Sequence, residues 1–159
     1  MTQKFINGSI PMGEIGVARG EGLLRTLLGS CLGVALYDRK QHIAGLVHIV
    51  LPESNGKTEL PGKYADTAIP ETIRRMEALT NGEPLKLTAK LAGGANMFGT
   101  ATTNTVGEQN LSTVERLLNE RRITVIGRHV GGEKGRRMAF DVESGQVSIE
   151  VVGAETETL

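Results

Sequence analysis

One cysteine, Cys31, and three histidines, His42, His48 and His129, are the residues of this 159-residue chain with the most reactive side chains. A single cysteine rules out an intramolecular disulfide and every Cys-rich zinc site. Three scattered histidines make a poor ligand set, so neither a metal nor a cofactor is expected. A thiol beside an imidazole is a different case. It can become a thiolate–imidazolium pair, and the thiolate is a nucleophile for an amide or ester carbon.

Cys31 and His48 both lie in residues 23–52, LLRTLLGSCLGVALYDRKQHIAGLVHIVLP. Residues 32–37 and 43–51 are apolar, β-branched-rich runs that flank the polar turn 38–42, the pattern of a β-hairpin. With the turn centred on Lys40 and Gln41, Gly33 faces His48 and Cys31 faces Val50. Side chains alternate faces with period two, so Cys31 and His48 become diagonal neighbours on one face, about 7–8 Å apart between backbones. Gly33 leaves room for the ring to lean towards the thiol. A one-residue slip would break this arrangement. Gly29 and Ser30 permit irregular backbone just before the cysteine, which makes the amides of Ser30 and Cys31 candidate oxyanion donors.

Plainer readings compete with this one. Lone cysteines are more often buried and inert. A histidine in an apolar run is more often a hydrogen-bonded core residue than a base. His42 belongs to a polar turn and reads as solvated. His129, near Gly131, reads as structural. The pairs Gly93-Gly94 and Gly131-Gly132 lack the ending and context of phosphate loops and read as turns.

The elements around the hairpin follow from periodicity. Residues 66–79 and 108–121 carry helical apolar stripes, with Asp66 as the cap of the first. Residues 85–91 alternate as a half-buried strand, residues 123–126 form another, and residues 138–142 and 146–152 form a second hairpin. The 52–63 loop is about as long as functional or mobile loops tend to be. The order of strands, helix, strand, helix, strands indicates an α+β fold. About eight strands are more than two helices can cover as one open sheet, so two packed sheets are expected.

Hydrophobic residues make up 39% and charged residues 23%, as in an ordinary soluble domain, and residues 1–159 read as one domain with a polar tail from about 153. Aromatics are only 3%, so the core must come from Leu, Ile, Val, Ala and Met. Lysine plus arginine equals aspartate plus glutamate at 18 each, which gives no basic excess for nucleic acid. No apolar run is long enough to insert in a membrane, and residues 1–14 have no signal-peptide core. A reducing, cytoplasmic location is the expectation.

Five motifs in order resemble one family. They are TLLGSCLGVALYD (26–38) with GLVHIVLP (45–52), KYADTAI (63–69), KLAGGANMF (90–98), VGEQN (106–110), and VGGEKGR (130–136) with Phe140, Asp141 and Gly145. The chain resembles the bacterial chemoreceptor glutamine deamidases of the CheD family over about residues 5–152. The resemblance implies hydrolysis of glutamine side-chain amides in the cytoplasmic helices of chemoreceptors, giving glutamate and ammonia. It implies Cys31 as nucleophile and His48 as base. A threonine that orients the histidine tends to lie six residues before the cysteine in that family. Here Arg25 holds that place and Thr26 follows it, so either Thr26 or a backbone carbonyl holds the imidazole. The implied fold is a mixed two-sheet β-sandwich with two main helices on an outer face. The resemblance also implies a CheC-type chemotaxis phosphatase as partner, with residues 93–98 and Phe98 on the shared surface. The alternative function is a non-catalytic module that binds and regulates that phosphatase.

Overall fold

The computed structural model describes residues 4–97 and 105–159. The chain runs β1 (Ile15–Arg19), β2 (Leu23–Leu28), β3 (Leu32–Asp38), β4 (Ile43–Ile49), α1 (Ala65–Glu77), β5 (Thr88–Gly93), α2 (Val106–Glu120), β6 (Thr124–Val130), β7 (Arg136–Asp141), β8 (Val147–Val151) and β9 (Glu157–Thr158). These strands make two sheets, in the orders β1-β4-β3-β5-β6 and β2-β7-β8-β9.

The unbroken apolar runs explain the centre of the fold. Every residue of β3 and β4 is buried, because both faces of the larger sheet are covered. Leu32, Val34, Leu36, Ile43, Val47 and Ile49 pack with Ile69 and Met76 of α1 and Val114 and Leu118 of α2. The opposite face carries Cys31, Ala35, Tyr37, Ala44 and Leu46, which meet Leu24, Leu28, Met138, Phe140 and Ile149 of the smaller sheet. Each fully buried Leu, Ile or Val contributes about 1.5–3 kcal/mol, so both interfaces weigh heavily in stability. The expected α+β sandwich, with helices on one outer face, is the observed architecture.

The hairpin register is also the expected one. β3 and β4 pair antiparallel with Asp38 opposite Ile43 and Gly33 opposite His48. Asp38 Oδ1 accepts from the Gln41 amide at 2.9 Å and closes the turn.

Two details differ from expectation, the cap of α1 and the start of β5. Tyr64, not Asp66, stands at the N-cap of α1 and gives no side-chain cap. Asp66 instead accepts from the Ser54 amide and hydroxyl, each at 3.0 Å, and ties down the preceding loop. Residues 85–87 lie outside the strand, which begins at Thr88. β5 and β6 pair in parallel, with α2 as the crossover between them, so the larger sheet is mixed, as the resemblance implies. In the polar tail, Glu157 and Thr158 pair with β8, and Leu159 packs against the core between the sheets.

Candidate active site

The chain leaves the smaller sheet at Leu28 and enters the larger one at Leu32, so residues 29–31 form the link between sheets. Cys31 stands at this corner, in the core between the sheets, and keeps 8% of its surface exposed. His48 points into the same layer from β4, two residues along from the level of Cys31. It is 3% exposed. The room over Gly33 is not taken by the imidazole: a Cβ there would meet Met138 Sδ at 2.7 Å and Leu28 Cδ1 at 2.9 Å. Gly33 therefore lets the facing sheet come close, and the ring is held from another side.

That side is β2. Its burial alternates, with Leu24, Thr26 and Leu28 inward and Arg25 and Leu27 outward. Thr26 Oγ1 lies 2.7 Å from His48 Nδ1. The same hydroxyl donates to the Ile10 carbonyl at 2.8 Å. A hydroxyl has one hydrogen, so with that hydrogen given to Ile10 its oxygen must accept from the ring. His48 then carries its proton on Nδ1 and its lone pair on Nε2. Nε2 is buried and, among the described residues, has no hydrogen-bond partner. Of the two alternatives for the imidazole's partner, the one in hydrogen-bond contact with the ring is Thr26, and the Ile10 carbonyl fixes Thr26 in turn. Arg25 turns away and donates to the Asn7 carbonyl at 2.7 Å.

The backbone of His48 is pinned as well. Its carbonyl accepts from Gly13 at 2.9 Å and its amide donates to Glu14 at 3.2 Å. Burial pushes the His48 pKa down to about 4, against a smaller opposing pull from the Ile10 carbonyl. Burial pushes the Cys31 thiol up. Both groups therefore rest neutral at pH 7, and a preformed thiolate–imidazolium pair is not the ground state.

The corner is anchored through its carbonyls. Gly94 donates to Cys31 O at 2.9 Å and Ala95 donates to Gly29 O at 3.0 Å. Gly93, at φ +103°, makes this approach possible, since a Cβ there would overlap the Cys31 carbonyl oxygen. Among the described residues no carbonyl accepts from the amides of Ser30 or Cys31. A cavity of about 700 Å³ opens beside the corner, with Leu28, Gly29, Met97, Lys134 and Arg136 in its wall.

The other candidates lie apart. His42 is exposed in the hairpin turn, where its Nδ1 meets Glu143 O at 2.6 Å and Tyr37 Oη at 3.1 Å. His129 Nε2 faces Glu157 at 3.1 Å. Phe98 lies outside the described residues. Among the described residues no cluster of three or more His, Cys, Asp or Glu is arranged to hold a metal ion. None of their helices is long and apolar enough to cross a membrane. Ile10 was not singled out from the sequence; nothing in its type or spacing marks a carbonyl that fixes a threonine.

A family model described as "CheD chemotactic sensory transduction" matches residues 50–151. A relative from Methanococcus maripaludis, named "Probable chemoreceptor glutamine deamidase CheD", is 40% identical across 94% of this chain and 97% of its own length. The chain belongs to the CheD family. A Clostridium botulinum CheD relative with the same printed name is 45% identical over 79% of this chain and 80% of its own. The Thermotoga maritima "Chemoreceptor glutamine deamidase CheD" is 34% identical over 91% of each. The family-model match begins after Cys31 and His48, but the alignments to CheD relatives span most of the chain.

Proposed function

We propose that this chain hydrolyses the side-chain amide of glutamine in the cytoplasmic helices of chemoreceptors; the printed names of its relatives give chemoreceptor glutamine as what they act on. The observation that carries the reading is the orientation of His48. Its Nδ1–H is tied to Thr26, and its bare Nε2 sits in the same buried layer as the only thiol.

Cys31 acts as nucleophile and His48 as general base. Because both rest neutral, the thiol proton passes to Nε2 as sulfur bonds to the amide carbon. The new imidazolium is stabilised through Nδ1–H, the Thr26 hydroxyl and the Ile10 carbonyl, three dipoles aligned head to tail. The carbonyl oxygen of the substrate gains negative charge, and the amides of Ser30 and Cys31 are its donors. When the tetrahedral adduct collapses, His48 gives the proton to the leaving ammonia. Water then adds to the thioester, loses its proton to His48, and releases glutamate and the thiol.

The test is mass spectrometry of receptor cytoplasmic fragments after incubation. Wild-type protein converts specific glutamines to glutamates, and Cys31→Ala leaves every one unchanged. Conversion by Cys31→Ala would sink the mechanism.

We also propose a CheC-type phosphatase as a second partner, on the segment that the resemblance assigns to the shared surface. The segment that the resemblance assigns to the partner surface includes Gly94 and Ala95, which hold the Cys31 corner, and Met97, which is 48% exposed. A partner seated there would act directly on the corner. Capture of the phosphatase that Phe98→Ala leaves undiminished would count against Phe98 as part of that surface.

A further inference from the structure

Arg136 opens β7 opposite Leu28, the last residue of β2 before the corner. It is 6% exposed. Among the described residues no carboxylate pairs with it. Its guanidinium instead gathers backbone carbonyls. Nη1 donates to His129 O at 2.7 Å, and Nη2 donates to Gly131 O and to Lys134 O at 3.2 Å. Nη1 also lies 2.9 Å from His129 Nδ1. Arginine can only donate, so that nitrogen accepts and His129 holds its proton on Nε2, towards Glu157. Burying a cation without a counter-ion is costly and is tolerated only with full hydrogen bonding. Even so, Nε is buried with no partner.

What this charge organises is the turn at 131–132, and the turn does not end there. Gly131 donates to Gly93 O at 3.0 Å, and Asn96 donates to Gly132 O at 2.8 Å. The 93–96 segment then donates to the carbonyls of Gly29 and Cys31. A continuous set of hydrogen bonds runs from the guanidinium to the peptide unit that joins Gly29 to Ser30 and to the one that joins Cys31 to Leu32.

We propose that Arg136 is a positioning residue for the Cys31 corner: it shapes the 131–132 turn, the turn fixes residues 93–96, and these hold the peptide unit that carries the Ser30 amide and the one that follows Cys31, and so set the corner between them. Its catalytic consequence rests on the deamidase reading above; the structural relay does not. A planar fork that meets several carbonyls at once suits arginine and not lysine, which offers a compact point charge.

Two measurements on Arg136→Gln and Arg136→Lys test this. The first is hydrogen exchange, which needs no activity. The amides of Gly94, Ala95, Asn96 and Gly131 exchange at least about tenfold faster in Arg136→Gln, while those of Val34 and Val47 in the sheet centre keep wild-type protection. Arg136→Lys gives the same pattern with a smaller increase. Unchanged protection at the four amides in both variants overturns the proposal. So does uniform loss across the sheet in both, which would mark a general structural role. The second compares two reactions of Cys31. Iodoacetamide attacks through a saturated carbon and builds no oxyanion; deamidation does. Arg136→Gln loses about 10²-fold in kcat for deamidation, with KM unchanged and alkylation within about threefold of wild type. Equal losses in the two reactions would overturn the role in oxyanion placement. If wild-type protein fails to deamidate receptor fragments while the four amides still respond, the relay stands and the deamidase reading fails.

Discussion

His42 and His48 sit in one hairpin, and each has its Nδ1 beside a hydroxyl: Tyr37 Oη at 3.1 Å and Thr26 Oγ1 at 2.7 Å. Both carry the proton on that nitrogen. For His42 the reason is Glu143 O at 2.6 Å, which can only accept. For His48 the reason is Thr26, whose own hydrogen is committed to Ile10. The local chemistry is therefore nearly the same at the two ends of the sandwich. The surroundings are not. His42 is exposed, at φ +52°, and serves as a clamp between the hairpin turn and the turn after β7. His48 is sealed between the sheets with a bare Nε2, in the layer that holds Cys31. A hydroxyl that fixes a tautomer does not make a base. What sets His48 apart is that its other nitrogen is buried, unpartnered among the described residues and in the layer that holds the thiol.

The largest expected effect separates the two histidines directly. In the proposed mechanism His48→Gln removes the lone pair that accepts the thiol proton, and general base catalysis of this kind supplies 10²–10⁴-fold. Receptor deamidation by His48→Gln is expected to fall about 10³-fold in kcat/KM, while His42→Gln stays within about threefold of wild type. Time courses on one receptor fragment with both variants decide it. Equal losses would mean that the exposed pair is as important as the buried one.

Much of this contrast could be read from the sequence, and the limits are physical. The hairpin register followed from a polar turn between two apolar runs, so His48 opposite Gly33 was legible. The partner of the histidine was legible only as a choice between Thr26 and a backbone carbonyl. Thr26 lies only five residues before Cys31, yet it belongs to the other sheet, because residues 29–31 carry the chain across. Local alternation held the clue that Thr26 and not Arg25 points inward, since Leu24, Thr26 and Leu28 share a face. Ile10 acts through a carbonyl, which side-chain patterns cannot report. Residues 85–87 alternate like a strand but find no partner in the sheet. Arg136 stands between Lys134 and Arg137 in the sequence, and only the return of the 129–135 segment around its guanidinium reveals it as buried.

The pH dependence of stability sharpens the same contrast by about 3 kcal/mol. Burial lowers the His48 pKa from 6.5 to about 4. Above about pH 6.5 the ring is neutral in folded and unfolded chains, and its titration has no effect. Between about 6.5 and about 4 the unfolded chain takes up a proton that the folded one refuses, so stability falls as pH falls. The full gap corresponds to about 3 kcal/mol. Urea midpoints measured across this range should drop for wild type and drop less for His48→Gln. Parallel curves for the two proteins would show that the ring titrates normally and is not held dry.

The smallest effects come from deleting the two hydroxyls, and here the two ends should diverge in kind. Thr26→Val keeps the shape of the side chain but frees His48 to turn and to carry its proton on either nitrogen. Deamidation should fall about 10²-fold, the low end of what a misplaced base costs. Tyr37→Phe removes the donor to Val142 O at 2.7 Å and to Glu143 O at 2.9 Å, leaving a buried carbonyl short of a partner. That should cost about 1–2 kcal/mol in urea unfolding, with deamidation unchanged. The ring itself stays seated edge-on against Phe140, 5.7 Å between centroids, so the sheets keep their spacing. If Tyr37→Phe also slows deamidation, the two ends are mechanically coupled through β3 and β4, and the clamp at the turn belongs to the machinery that holds His48. If it does not, the hairpin has divided its labour along its length, with cohesion at the turn and chemistry at the open end.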